Sequence, residues 1–257
     1  MSPAVLFDMD GTLVDTPGAI VTTLCTVLEE LGTPRPDALE VRATVGRPLV
    51  PSFASLLRLD EGDPTVSRAA ERFRTLFRDT VVPDAPRLVL PGVVTLLQEL
   101  RSDGHPLAVV TSKVRAGAEE MLESAGLASC FDAVVCHGMA ERGKPHPDLA
   151  LLAADLLRRP AAECVVVGDA VDDMRMARSA GMTAIGVSYG VADTRALFEA
   201  GAHRVEHSAP AVGRALSELT LSGSTLSGPA PDRAPASRDG EEPPYPATPS
   251  TEVVIST

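Results

Sequence analysis

The sequence predicts an α/β protein, a Rossmann-like parallel sheet core with an inserted α-helical subdomain, and three observations carry that prediction. The runs Ala4-Val5-Leu6-Phe7, Leu107 to Val110, Ala133 to Cys136, Cys164 to Val167 and Ala184 to Val187 are apolar and of strand length. They lack polar alternation, as strands buried on both faces of a sheet do. From Leu88 onward such runs alternate with stretches of helical period, a spacing that implies parallel strands joined by right-handed crossovers. Between the first run and that alternation, the chain from Thr16 to Arg87 carries helical signals only, which marks an insertion after one strand.

Composition bounds the remaining possibilities. A chain of 257 residues holds one large domain or a domain plus a smaller one, and its 44% hydrophobic content is enough to bury a core. Acidic residues outnumber basic ones 35 to 23, for a formal charge of −12. That balance argues against a nucleic-acid or anionic-membrane partner, since both need basic patches. There is no run of eighteen apolar residues and no signal-peptide core, so the expected location is cytoplasmic. Cys25, Cys130, Cys136 and Cys164 show no CxxC spacing and no flanking His set, which predicts buried reduced thiols.

Taken in order, the first strand runs straight into Asp8-Met9-Asp10-Gly11. Two carboxylates at one strand end need a cation between them, or one must hold a proton; read alone, the stretch also fits a solvated turn. Ile20, Leu24, Leu28 and Leu31 then recur at helical spacing between Pro17 and Gly32. Further helices are expected over Asp37 to Thr44, Val50 to Leu57 and Val66 to Val81. Pro91-Gly92 opens a helix that stops at Asp103-Gly104, and the second strand follows, ending in Thr111-Ser112-Lys113. A helix through Met121 and Leu122 ends at Gly126. After the third strand, Lys144-Pro145-His146-Pro147 forms a loop before a helix from Asp148 to Leu157. The fourth strand ends in Gly168-Asp169-Ala170-Val171-Asp172-Asp173, ahead of a helix from Met174 to Ala180 and the fifth strand. Beyond about Leu219 the composition turns to Ser, Gly, Pro and Thr, which cannot repay the entropy of ordering. The expected division is residues 1–15 and 88–220 as the α/β core, 16–87 as the helical insertion and 221–257 as a disordered tail.

A parallel sheet gathers its strand ends at one edge, so Asp8, Asp10, Thr111, Asp169 and Asp173 can converge there with Lys144. One threonine, one lysine and four carboxylates make a site for an anion and a metal, and hard oxygen ligands suit Mg²⁺.

With these residues in view, the chain resembles the haloacid dehalogenase superfamily, in its phosphoglycolate-phosphatase-like group with a helical cap. The motifs are DMDGT at Asp8 to Thr12, VVTSK at Val109 to Lys113, GKPHPD at Gly143 to Asp148 and GDAVDDM at Gly168 to Met174. The resemblance covers Val5 to about Leu219. It implies a Mg²⁺-dependent phosphomonoester hydrolase acting on a small phosphorylated metabolite. Asp8 would be the nucleophile that becomes an aspartyl phosphate, and Asp10 the acid that protonates the leaving oxygen and later deprotonates water. Thr111 would donate its hydroxyl to the phosphoryl, and Lys144 would neutralise charge on it. Asp8, Asp169 and the backbone carbonyl of Asp10 would hold the metal, with Asp173 supporting its waters or Lys144 and Asp172 peripheral. Gly11, Ser112 and Arg47 complete the set as substrate contacts.

Lys113 and Lys144 are the only lysines in the chain, and both fall inside the motifs. A compact ammonium is not interchangeable with a guanidinium where geometry is tight. Lys113 also fits a solvated first turn of a helix. Arg47, in Gly46-Arg47-Pro48, reads either as a contact to the part of the substrate away from phosphorus or as an ordinary exposed arginine. His146 reads as part of a rigid turn, and His105, His137, His203 and His207 as surface or satisfied core residues. Asp10 speaks against dehalogenation, and a cap without lysine speaks against phosphonate cleavage. The runner-up activity is a phosphosugar mutase of the β-phosphoglucomutase type, and the third reading is a non-catalytic binding or regulatory protein on the same fold.

Overall fold

The computed structural model describes residues 2–33 and 36–222, which fall within one compact unit. Six parallel strands stand in the order β3-β2-β1-β4-β5-β6. They are β1 (Ala4–Phe7), β2 (Leu107–Thr111), β3 (Ala133–Cys136), β4 (Cys164–Gly168), β5 (Thr183–Val187) and β6 (Arg204–Glu206). The register aligns Phe7 with Val109 and with Val167, so β1, β2 and β4 end at one level.

Helices cover both faces of this sheet, and successive side chains of each strand serve opposite layers. Val5, Phe7, Val109 and Val167 pack with α6 (Val93–Ser102), α7 (Arg115–Ser124) and α11 (Ala209–Ser222). Ala4, Leu6, Ala108 and Val166 pack on the other side with α8 (Asp148–Leu156), α9 (Val171–Ser179) and α10 (Thr194–Glu199). Every residue of β1, β2, β4 and β5 is buried. That is why these strands read as unbroken apolar runs.

Between β1 and α6 the chain forms α1 (Pro17–Glu30), α2 (Ala38–Arg42), α3 (Leu49–Leu57), α4 (Pro64–Thr80) and α5 (Ala85–Leu88), with no named strand among them. Asp63 caps α4 by accepting from the Thr65 N–H at 2.7 Å, and Pro64 supplies the preset φ of the first turn. The buried stripe of α4 is Val66, Ala69, Ala70, Phe73 and Phe77. Phe73 stacks on Phe77 at 5.4 Å and meets the edge of Phe53 of α3 at 6.2 Å. The chain leaves and re-enters the core along bonded paths, with Asp15 N–H donating to Leu88 O at 2.7 Å and Leu90 N–H to Leu13 O at 3.0 Å.

Some elements differ from expectation. Leu31 lies beyond the end of α1 and is exposed, because Gly32 at φ +71° turns the chain away. Helix α9 begins at Val171, three residues early, because the Asp173 carboxylate accepts from the Ala170 N–H at 3.0 Å and caps it. β6, α10 and α11 were not expected. α11 runs to Ser222; residues 223 to 257, and with them the expected disordered tail, lie outside those described. The four cysteines are free, Cys136 and Cys164 buried and Cys25 and Cys130 half-buried. Burial pushes the Cys136 and Cys164 thiols up to about 11, so they are thiols at neutral pH. No described helix is long and apolar enough to cross a membrane.

Candidate active site

The carboxyl ends of β1, β2 and β4 deliver Asp8, Thr111 and Asp169 to one edge, and the first turn of α9 adds Asp173. All four are buried. Lys144 enters from the loop before α8, its ammonium 2.6 Å from Asp8 Oδ1 and 2.6 Å from Asp173 Oδ1. The loop is closed beneath it by a forked ion pair, Arg142 donating to both oxygens of Asp148 at 3.1 and 2.9 Å.

Asp8, Asp169 and Asp173 bring carboxylate oxygens within 4.8 Å of one another. Burial, outweighing the attraction of Lys144 and joined by repulsion from Asp173 and Asp10, pushes the Asp8 carboxyl up to about 7. Burial also raises Asp169 well above the ordinary range, with Asp8 and Asp173 adding to it. For Lys144 burial acts downward, yet Asp173 and Asp8 outweigh it and hold the ammonium charged beyond its usual range. Three buried carboxylates therefore cluster around a single ammonium that bonds only two of them, a donor set of hard oxygens with negative charge left over. A small divalent cation fits it. Room is kept by glycine: a Cβ on Gly11, at φ +81°, or on Gly190 would overlap the Asp169 carboxylate. Asp169 is fixed by Val191 N–H at 2.8 Å and Thr12 Oγ1 at 3.2 Å.

Asp10 stands apart from that trio. Its Oδ1 accepts from Thr16 Oγ1 at 2.5 Å and lies 3.1 Å from Lys113 Nζ, which in turn sits 4.5 Å from the ring centroid of Phe77. Lys113 is thus half-buried against the site and is not a solvated helix residue. The Thr111 hydroxyl accepts from the Lys113 N–H at 3.2 Å, which leaves its own proton free to donate.

A cavity of about 260 Å³ opens beside these groups. Asp8, Asp10, Thr111 and Lys113 line it from the core, and Ile20, Leu24, Phe73 and Phe77 line it from the helical insertion. Arg47 reaches its wall but is exposed, 4.0 Å from Asp172 Oδ2. Asp172 faces Arg47 and Arg175, not Lys144. His203 is a satisfied internal residue, and His137 lines the cavity. Residues that sequence reasoning passed over include Thr12, Thr16, Gly190 and Val191. The last two follow β5, whose end lies at the same edge as the other strand ends, and that position was the available signal.

Comparison with known proteins agrees with this arrangement. Residues 5–187 match the family described as haloacid dehalogenase-like hydrolase, and the chain belongs to that family. A protein named "Probable phosphatase IndB" from Dickeya dadantii (strain 3937) is 45% identical over 228 residues, 88% of this chain and 99% of that one. The plasmid-encoded phosphoglycolate phosphatase of Cupriavidus necator is 36% identical over 193 residues, 74% of this chain and 82% of that one. Among solved structures, a hydrolase from Pseudomonas syringae superposes with a TM-score of 0.75 at 28% identity, covering 84% of this chain and 99% of that one.

Proposed function

We propose that this phosphatase is a Mg²⁺-dependent phosphomonoester hydrolase that passes the phosphoryl group of a small metabolite through an aspartyl phosphate on Asp8. The observation that carries the reading is the Lys144 ammonium, 2.6 Å from Asp8 and from Asp173, in a buried cluster whose carboxylates outnumber its cations.

In this reading an Asp8 oxygen bonds to phosphorus as the ester P–O bond breaks, and Asp10 gives its proton to the departing oxygen. Water then attacks phosphorus, its proton goes to Asp10, and phosphate leaves with the Asp8 carboxylate restored. Asp8 and Asp169 would hold the metal, together with the Asp10 carbonyl, while Asp173 orients Lys144. When bound, Mg²⁺ supplies charge neutralisation between the nucleophile and the phosphoryl oxygens. Lys144 and the free Thr111 hydroxyl proton meet charge on the transferring group, and Ser112, Gly11 and Arg47 contribute at the substrate side. The helices from α1 to α5 hold no lysine, which speaks against the mutase alternative.

The test is phosphate release from p-nitrophenyl phosphate with Mg²⁺, combined with acid quench and peptide mapping. Phosphate on the peptide bearing Asp8 is expected, with no turnover in a folded Asp8→Asn variant. Full turnover by Asp8→Asn would overturn the reading.

A further inference from the structure

Among the described residues three buried side-chain polar atoms lack a hydrogen-bond partner: Arg74 Nε, Ser112 Oγ and His137 Nδ1. All three residues line the one cavity beside Asp8. Buried polar groups in folded proteins are nearly always paired, so three orphans on residues that all line one space point to the polar groups of what fills it. Thr44, Ser52, Arg78 and Glu120 also reach the wall, but much of the remainder is apolar. Phe73 and Phe77 of α4, with Leu24, Leu49 and Val50, present carbon to the space. Phe73 and Phe77 stack nearly parallel, at 16°, on the same helix that carries Arg74.

Resting on the phosphomonoesterase reading above, we infer that the substrate is a phosphomonoester with an apolar, ring-bearing body and a second acceptor or anionic group, and that Arg74 is the residue that binds that group. A two-carbon acid phosphate would bring no surface to the Phe73–Phe77 wall. A sugar phosphate would bring several hydroxyls, and those set against the Phe73–Phe77 wall would be stripped of water without a partner there. A ring fills the apolar wall, and one acceptor satisfies the Arg74 N–H, which donates and cannot accept. Arg47, exposed and near Asp172, has no such unmet bond. Arg74 lies one residue beyond Phe73, so ring and acceptor are recognised from adjacent positions of one helix.

The test uses alkyl phosphates, so that the leaving oxygen is chemically alike throughout: phosphoglycolate, glucose 6-phosphate, 2-phenylethyl phosphate and 2-(4-carboxyphenyl)ethyl phosphate. With the full-length enzyme and Mg²⁺, kcat/KM for the two ring-bearing esters is expected to exceed that for the other two by about tenfold or more. Arg74→Gln is expected to raise KM for the carboxylated ester about ten- to a hundredfold more than for 2-phenylethyl phosphate, with kcat for the carboxylated ester held. Preference for phosphoglycolate or glucose 6-phosphate overturns the substrate class, and equal KM changes on both ring-bearing esters overturn the role of Arg74. If no ester is hydrolysed, the reaction assignment fails, and the pocket is judged by calorimetry alone. Tighter binding of 2-phenylethylphosphonate than of ethylphosphonate then supports the ring site, and equal binding overturns it.

Discussion

Lys113 Nζ stands 3.1 Å from Asp10 Oδ1 while the same ammonium lies over the Phe77 ring of α4. One cation therefore touches the proposed acid of the core and an aromatic wall of the helical insertion. The other lysine of the chain, Lys144, bonds the proposed nucleophile. Asp10 and Asp8, two residues apart, are thus each matched to a separate ammonium, in keeping with the proposed division of one carboxylate for phosphorus and the other for protons.

That division predicts how the loss of Asp10 depends on the leaving group. Asp10→Asn is expected to lower kcat on alkyl phosphates by about 10²- to 10⁴-fold, the usual worth of a positioned proton donor. The loss on p-nitrophenyl phosphate is expected to be smaller, because nitrophenolate leaves without help. Parallel rates on both substrate types provide the check, and equal losses would remove Asp10 from the acid role.

The metal reading has a thermodynamic readout besides turnover. EDTA is expected to abolish activity and Mg²⁺ to restore it, whereas Ca²⁺, with its looser and longer coordination, is expected to inhibit. A ligand that binds only the folded state raises its stability, by about 2.7 kcal/mol at a hundred times Kd. Mg²⁺ should therefore raise Tm of the wild-type protein, and Asp169→Asn should shrink that rise. A full rise in Asp169→Asn would move the metal elsewhere.

Gly11 gives a prediction about packing around the same carboxylate. Alanine there meets a left-handed backbone, which costs an L-residue roughly 1–2 kcal/mol, and its Cβ would also overlap Asp169. Gly126 has a similar φ, +70°, with nothing within 4 Å of a built Cβ. Urea unfolding should show Gly11→Ala losing more stability than Gly126→Ala, and only the former should lose its response to Mg²⁺. Matching losses and matching responses would show that the crowding at Asp169 is of no consequence.

How far the sequence discloses all this follows from which physical signals are local. Five strands were legible as unbroken apolar runs, four of them buried throughout and β3 buried in its second half. β6 was not, since two of its three residues, Arg204 and Glu206, are charged, paired with each other at 3.2 Å on the sheet edge. The start of α9 was hidden because Asp172 and Asp173 read as loop acids until the Asp173 cap is seen. The acids and Lys144 were legible because strand ends and a Gly-Lys-Pro loop mark them. Arg74 was not: it sits mid-helix among other arginines, and only the cavity distinguishes it from Arg72, which is bonded to Glu30 at 2.7 Å. Arg47 was marked by its Gly-Arg-Pro loop, and its exposed side chain reaches the cavity wall.

The last prediction concerns pH and lies away from the metal cluster. His203 joins β6 to β5: its N–H donates to Ala184 O at 2.8 Å, and its ring Nδ1 lies 2.9 Å from the Ala184 N–H. Nε2 is 2.9 Å from an Arg178 guanidinium nitrogen. Burial first, and the Arg178 charge second, hold the His203 pKa below its ordinary value of 6.5. An Nδ1 that accepts from Ala184 must also be unprotonated, so adding a proton breaks a bond between neighbouring strands. Because the folded pKa is the lower one, the unfolded chain takes up the proton first as pH falls. His203 therefore contributes stability that is fully present above 6.5 and is lost as pH falls through the folded value. Asp8, raised to about 7, works in the opposite direction over part of this range, losing stability as pH rises, so the total curve mixes both. The variant separates them. In His203→Gln, thermal unfolding at about pH 7.5 and about pH 5.5 should show a smaller loss of Tm on acidification than the wild type, because glutamine has no proton to gain. If the variant loses as much Tm as the wild type between those two values, the acid sensitivity belongs to other groups and His203 is only a packing residue.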